Sequence, residues 1–517
     1  MRAITAEAMQ EADRRTIKGL GVPGLTLMEN AGRECAAAIV RRYGQLHGPK
    51  AVIVAGKGNN GGDGYVIARL LAGEGWQVRT LVLARRGEIG GDAGTNLDLL
   101  PADTVCFCPE GIVSFRGELP YATVIVDALF GTGLAKEVTG PFAEAIGLIN
   151  ASGRPVVAVD IPSGIHGTTG RVLGTAVRAD LTVTFACAKA GHLLYPGAEY
   201  VGELQVVPIG IPDSILAETP GYEYVDAAAA RALVRPRSRT VHKGSLGHVL
   251  VIAGSRGKTG AAAMAANSAV RAGSGLVTLA VPATLHDILE MKTTEAMTVP
   301  LDDSGRAFLG ALALPEIINL LDGRDAVALG PGISRNPETS ALVHRLVTEI
   351  DLPLVLDADA LNALSEQPEI LRAARSRKII LTPHPGEMAR LCGCTVAEVE
   401  RDRIAAARDF AVRQGVHLVL KGARTISAAP DGRIAINGSG NPGMASGGMG
   451  DVLTGVLVSL LGQGYDPCDA SRLGVYLHGA AADLVAAEKG EIGMSATDVQ
   501  EHLPYTYRWL MREATTR

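Results

Sequence analysis

Short apolar runs that stop at a glycine or an aspartate recur along this chain, and they constrain its fold more than any other feature. Ala51 to Ala55, Val78 to Leu83, Thr123 to Val126 and Pro155 to Val159 form a first series. His248 to Ala253, Val277 to Val281, Ala326 to Leu329, Leu354 to Leu356, Ile379 to Leu381 and Leu418 to Leu420 form a second. Helical patterns lie among them; Leu27, Met28, Ala31, Cys35, Ala38 and Ile39 share one helical face. A continuous apolar run between helices marks a parallel strand covered on both faces, so the expected class is α/β. Aromatics make up only 4% of the chain, which argues against a β-sandwich core.

Two such series in 517 residues exceed one ordinary core. The pattern weakens between Pro212 and Thr240, where Pro212, Pro220, Gly221 and Pro236 accompany a basic cluster of Arg235, Arg237 and Arg239. The expected domains are 1–212 and 225–517, with 213–240 the linker leading into the second. The formal net charge is −5 and no basic block occurs, which excludes a nucleic-acid partner. An anionic small ligand remains open, because helix N-termini and glycine loops hold phosphate without net positive charge. Cys106 with Cys108, and Cys392 with Cys394, form C-x-C pairs without zinc spacing, and all seven cysteines are expected as reduced thiols. Glu7, Glu11 and Asp13 argue against a signal peptide, and no apolar run has membrane length. A cytoplasmic protein with no membrane partner is expected.

Gly56 to Gly64 reads GKGNNGGDG, between a buried strand and a helical pattern. It is neither a dinucleotide fingerprint nor a Walker A loop. A plain strand–helix turn needs one or two glycines; Asn59, Asn60 and Asp63 add polar groups that packing does not require, which favours a functional loop. Two further strands end in an acid, Asp127 before ALFGTGL and Asp160 before IPSGI. Either could merely cap a turn. Ligands of open α/β sheets bind at the carboxyl ends of strands, so loop and acids are expected to converge there.

These segments, with the later KAGHLLYPG, resemble the YjeF N-terminal family of NAD(P)HX epimerases over about residues 1–210. The resemblance implies a Rossmann-like three-layer α/β/α fold. It also implies that Asn59, Asn60, Gly61, Gly62 and Asp63, with Gly131, Thr132, Gly133, Leu134, Ala135, Lys136 and Glu137, hold the hydrated nucleotide. Asn60, Asp127 and Ser163 would coordinate a potassium ion, and Asp160 would contact substrate near the reacting carbon. Epimerising C6 by reversible opening and re-addition of water asks for an acid/base group at the hydroxyl, and Asp160 is the candidate.

In the second series, Asn437 to Leu453 reads NGSGNPGMASGGMGDVL. The glycines allow close approach, and a helix opening at Asp451 presents free N–H groups that suit a phosphate. Asp451 stands where a base could meet a hydroxyl, or it is a helix N-cap. The loop resembles the anion hole of ribokinase-like kinases. With TPHPGE at Thr382 to Glu387, KGART at Lys421 to Thr425, LGPGI at Leu329 to Ile333 and LDADAL at Leu356 to Leu361, the match is similar to the YjeF C-terminal, carbohydrate-kinase-like NAD(P)HX dehydratase family over about residues 225–510. The resemblance implies a ribokinase-like α/β domain. It implies that Lys421, Gly422, Ala423, Arg424 and Thr425 bind ADP together with Asn441, Pro442, Gly443, Met444, Ala445, Ser446, Gly447, Gly448, Met449 and Gly450. Gly332, His384 and Asp451 would face the hydrated nicotinamide. His384 could instead be a packed loop histidine. Gly254 to Gly260, GSRGKTG, lacks the spacing of a Walker A loop and receives no role.

The expected cofactors are ADP, with ATP the alternative, together with Mg²⁺ on the phosphates and K⁺. The expected substrates are NADHX and NADPHX, and a homo-oligomer is expected. The rival reading is a ribokinase-like vitamin or sugar kinase with a non-catalytic N-terminal binding module. The acids beside the complete N-terminal glycine loop count against it.

Overall fold

The computed structural model describes residues 2–45, 48–109 and 112–512. Met1 and 513–517, which the expected domain limits include, lie outside the described residues. Contacts divide the chain into two units, Arg2–Tyr222 and Glu223–Arg517.

The first unit holds β1 (Arg2–Ile4), β2 (Lys50–Ala55), β3 (Gln77–Val82), β4 (Val105–Phe107), β5 (Val124–Ala128), β6 (Val156–Val159), β7 (Leu181–Phe185), β8 (Ala188–Lys189) and β9 (Glu203–Val207). Seven form one sheet in the order β4-β3-β2-β5-β6-β7-β9, parallel throughout. Val52, Ile53 and Val54 are wholly buried, the both-faces burial that a continuous apolar run foretells. The chain runs outward from β2 through β3 to β4, then restarts on the other side at β5. The crevice between the carboxyl ends of β2 and β5 is therefore a topological switch point.

The second unit holds β10 (Tyr222–Val225), β11 (His248–Ile252), β12 (Leu276–Pro282), β13 (Met297–Leu301), β14 (Ala326–Leu329), β15 (Leu354–Leu356), β16 (Ile379–Leu381), β17 (His417–Leu420), β18 (Ile426–Ala428) and β19 (Ile434–Asn437). Their order is β13-β12-β11-β14-β15-β16-β17-β18-β19-β10, parallel except for the antiparallel β17–β18 and β18–β19 pairs. The order reverses between β11 and β14, a second switch point. Helices Thr259–Arg271 and Met449–Gly462 cross closely over this sheet; a side chain on Gly455 would strike Ala265 O. The 213–240 segment contains helix Asp213–Glu218, β10 and helix Ala227–Leu233, whose N-cap Asp226 accepts from Ala229 N at 2.9 Å. Among the described residues no helix is long and apolar enough to cross a membrane.

Candidate active sites

At the first switch point the glycine loop is shorter than its sequence suggests. Helix Asn59–Gly73 begins inside it, so Gly61, Gly62 and Gly64 are helical. Their missing side chains serve packing. A Cβ on Gly61 would strike Gly56 O, one on Gly62 would lie 2.7 Å from Met28 Sδ, and one on Gly64 would lie 2.7 Å from Ala128 Cβ. Three of the glycines read as ligand approach thus seat the helix against β2, β5 and helix Gly24–Tyr43.

Asp127 closes β5 and is wholly buried. It accepts from Ser163 N at 2.8 Å, Ser163 Oγ at 2.6 Å and Leu129 N at 3.3 Å. Burial pushes its carboxyl up to about 6, against those hydrogen bonds. Asn60 lies against Gly131, where an added Cβ would sit 3.2 Å from Asn60 Oδ1. Among the described residues the buried Asn60 Nδ2 has no partner. Amide orientation is set by partners, so this unmatched end accommodates an oxygen facing a cation. Carboxylate, hydroxyl and amide oxygens form a hard donor set, and Asn60, Asp127 and Ser163 fit a monovalent cation.

Asp160 follows β6 in a left-handed conformation, φ 65°. Burial alone would raise its carboxyl, but the buried ammonium of Lys189 holds it below the usual aspartate value. Lys189 Nζ donates to Asp160 Oδ1 at 2.6 Å, Thr184 Oγ1 at 2.9 Å and Phe185 O at 3.1 Å, which uses all three of its N–H groups. His192 Nδ1 accepts from Lys189 N at 3.0 Å, so Nε2 carries the proton and donates to Asp160 O at 2.9 Å. Burial, then Lys189, pushes His192 down to about 3, so it is neutral. Two more carboxyls face this group. Burial and the Asp160 charge push Asp63 well above the usual value, and burial raises Asp13 to about 6. Burial and the charge of Asp160 favour the protonated form of Asp63 while Lys189 favours the ionised form of Asp160, so one cleft holds two carboxyls pushed in opposite directions. Sequence reasoning missed Lys189 and Asp13. The first residue of KAGHLLYPG was the available signal for Lys189.

At the second switch point the GSRGKTG turn after β11 meets the LGPGI turn after β14. Gly254 N donates to Pro331 O at 2.9 Å, and Ser255 Oγ to Gly332 O at 2.7 Å. A Cβ on Gly332 would lie 2.8 Å from Lys258 Cβ, and Lys258 Nζ donates to Asp359 Oδ2 at 2.7 Å. The turn left without a role thus borders the expected substrate glycine.

The helix at the phosphate loop begins at Met449, with Gly448 as its left-handed N-cap, φ 94°. Asp451 therefore stands in the first turn and is not the cap. Burial, then the charge of Asp357, pushes its carboxyl up to about 7. Beneath it, Lys421 Nζ bridges Asp357 Oδ1 at 2.8 Å and Glu387 Oε2 at 3.7 Å, and Thr454 Oγ1 donates to Asp357 Oδ2 at 2.8 Å. A Cβ on Gly450 would lie 3.3 Å from Lys421 Nζ. Lys421 is committed to carboxylates below the loop. Asp357 and Glu387 stood in quoted segments as fold markers only. Arg403, also missed, supports the KGART backbone by donating to Ala423 O at 2.7 Å and Lys421 O at 3.3 Å. Arg424 Nη1 donates to Gly438 O at 2.7 Å, and Asp483 holds Gly440 N and Asn441 Nδ2, each at 2.9 Å.

His384 is the N-cap of helix Pro385–Cys392: its Nδ1 accepts from Gly386 N at 3.0 Å and Glu387 N at 3.4 Å. Burial and Lys421 lower its pKa. With Nδ1 engaged, only Nε2–H is left to donate. Among the described residues no cluster of three or more His, Cys, Asp or Glu could hold a metal. Mg²⁺ in this unit would rest on phosphate oxygens and one or two carboxylates, the ordinary arrangement for that ion.

The family described as YjeF-related protein N-terminus matches residues 24–191, and the NAD(P)H-hydrate dehydratase family matches residues 249–505. The bifunctional NAD(P)H-hydrate repair enzyme of Moorella thermoacetica is 43% identical over 523 residues, covering 100% of this chain and 98% of the relative. That of Escherichia coli is 35% identical, covering 96% and 92% respectively. The ADP/ATP-dependent NAD(P)H-hydrate dehydratase of Bacillus subtilis, co-crystallised with ATP and Mg²⁺, is 29% identical over 56% of this chain and 99% of that one, with a TM-score of 0.48. With both units matched in order and full-length relatives at this identity, the chain belongs to the family of bifunctional NAD(P)H-hydrate repair enzymes.

Proposed function

We infer that this protein restores hydrated NADH and NADPH. The first unit interconverts the R and S hydrates, and the second dehydrates the S hydrate with ADP. The observation that carries this reading is the gathering, in each unit, of buried carboxyls at a switch-point cleft: Asp63, Asp127 and Asp160 in the first, Asp357 with Lys421 below Asp451 in the second. The full-length family membership supports the same division of labour, and the rival kinase reading leaves the first cleft without a purpose.

In the first unit, ionised Asp160 faces the reacting carbon, where its charge stabilises a developing iminium. It takes the proton of the returning water, while protonated Asp63 supplies one to the departing hydroxyl. Asn60, Asp127 and Ser163 would hold K⁺, which would supply positive charge to the cleft. In the second unit, the N–H groups at Gly448 to Gly450 hold the nucleotide phosphates, and Asp451 accepts the proton of the substrate hydroxyl. ADP with Mg²⁺ supplies the phosphoryl chemistry that makes this hydroxyl a leaving group. His384 Nε2–H orients the nicotinamide hydrate. A cytoplasmic address and self-association belong to the same proposal; cell fractionation and light scattering check them. The decisive experiment incubates the full chain with mixed NADHX epimers, with and without ADP. Recovery of dihydronicotinamide absorbance from both epimers is expected. Phosphorylation of a sugar or vitamin without such recovery would sink the reading.

A further inference from the structure

The segment after the long helix Pro467–Lys489 runs beside the phosphate loop, and Ile492 within it is 101% exposed. A lone exposed apolar residue needs no explanation; this one stands beside a ligand site. A Cβ on Gly443 would lie 2.7 Å from Glu491 O and 3.0 Å from Met494 Cε, and one on Gly448 would lie 3.0 Å from Ala496 Cβ. Residues 491–496 therefore follow the loop from its outer end to the helix start. Gly490 and Gly493, both at φ 84° with open space around them, bracket Glu491 and Ile492. They let this short piece swing without disturbing buried Met494.

We propose that Ile492 is one wall of the subsite for the nucleotide base, closing over adenine when ADP binds. This rests on the reading that Asn441 to Gly450 holds ADP. The phosphates belong at the free N–H groups of the helix start. A nucleoside diphosphate is longer than that start, so its base extends along the loop toward Pro442 and Gly443. There Gly440 and Asn441 are tied to Asp483, which fixes one side. Ile492, next to the Glu491 carbonyl that borders Gly443, has its whole surface free, and an apolar branched side chain against the flat face of a purine removes both from water. The wall therefore selects for a nucleotide over a bare polyphosphate.

The test measures Kd for MgADP and the inhibition constant for inorganic pyrophosphate on the full-length protein. Ile492→Ser should raise Kd for MgADP about tenfold, roughly half the worth of burying such a side chain. Pyrophosphate should be unaffected, and Ile492→Leu should restore ADP binding. Ile492 packs against nothing, so melting temperatures should stay level. Gly447→Val tests the underlying site, because a Cβ there meets open space and adds bulk beside the phosphates. Weaker ADP binding in Gly447→Val with an unchanged Ile492→Ser overturns the wall and keeps the site. No effect in either variant overturns both. Equal weakening of ADP and pyrophosphate by Ile492→Ser also overturns the proposal, because the segment would then shape the phosphate end.

Discussion

Lys189 Nζ stands 2.6 Å from Asp160 Oδ1, and both groups are buried. The ammonium has no donor left for substrate, because Thr184 and Phe185 take its other two N–H groups. Its work is to keep a carboxylate charged in a site that would otherwise neutralise it. Lys189→Met should raise the Asp160 pKa and move the acid limb of epimerisation to higher pH. It should also cost about 3–5 kcal/mol of stability, the usual penalty for breaking a buried pair. The sign of the pH effect on folding follows from the depressed folded pKa. The carboxylate adds stability above its unfolded value of 3.8, and that contribution is lost as pH falls through the lower folded value. A pH–rate profile and melts between pH 3 and 8 check both. An unmoved acid limb would show that Lys189 does not set the charge of Asp160.

Asp160→Asn keeps the shape of the site and removes the charge. Epimerisation should fall by about 10²–10⁴-fold, the range for a lost acid/base group. Dehydration of purified S hydrate should hold its rate. Asp63→Asn should slow epimerisation as well, without moving the acid limb, because Asp63 acts in its protonated form. Stopped assays on each pure epimer separate these outcomes, and wild-type epimerisation by Asp160→Asn removes that residue from the mechanism.

Much of this was legible in the sequence because the informative residues sit where chain order and space agree. Asp127 and Asp160 end strands, and Ser163 follows within a few residues, so position along the chain already placed them at one sheet edge. Lys189 reaches Asp160 from β8, 29 residues on, and no periodicity signals such a pairing. Asp357 and Lys421 directly follow β15 and β17, and Glu387 stands in helix Pro385–Cys392 after β16; only the sheet order makes the three neighbours. The β18–β19 hairpin was missed because Ser427 and Asn437 break the continuous apolar run by which the equally short β15 and β16 were read. The glycines of Gly56–Gly64 misled in part, since close packing and close ligand approach ask for the same residue.

Separability follows from the unit boundary, with one condition. β10, Tyr222–Val225, pairs in parallel with β19 through Glu223, Tyr224 and Val225. A fragment beginning near residue 225 loses that edge strand, whereas one beginning at Gly221 keeps it. The longer fragment should fold and dehydrate the S hydrate with ADP. The shorter should melt lower. A folded, inactive Gly221 fragment alongside an active full chain would contradict the division of labour.

His384 carries two duties that substitution can separate. His384→Asn retains a good N-cap, so the melting temperature should stay within a few degrees, whereas His384→Ala should lose about 0.5–2 kcal/mol. Both remove Nε2–H from the substrate and should raise KM for the hydrate. Normal KM in His384→Asn would leave the residue as a cap alone.

Asp451 offers the sharpest pH test, because burial and Asp357 bring its carboxyl to about 7. If it accepts the hydroxyl proton, dehydration should climb as pH rises through about 7 and then level. Asp451→Asn should abolish turnover while MgADP still binds, since the loop N–H groups remain. The same residue makes an opposite prediction for stability. Its folded pKa lies above the unfolded 3.8, so folding favours the protonated form. Any stabilisation from that preference is complete below the unfolded value and lost as pH rises through about 7. Asp451→Asn should therefore melt higher than the parent at pH 8, with the gap narrowing as pH falls from about 7 toward 3.8. The helix cap is Gly448, so the substitution costs nothing there. A variant that gains stability at pH 8 and loses only turnover would separate the base from the scaffold. Retained turnover would return Asp451 to a packing role. Loss of MgADP binding would instead place it in the nucleotide site and leave the base to be sought elsewhere.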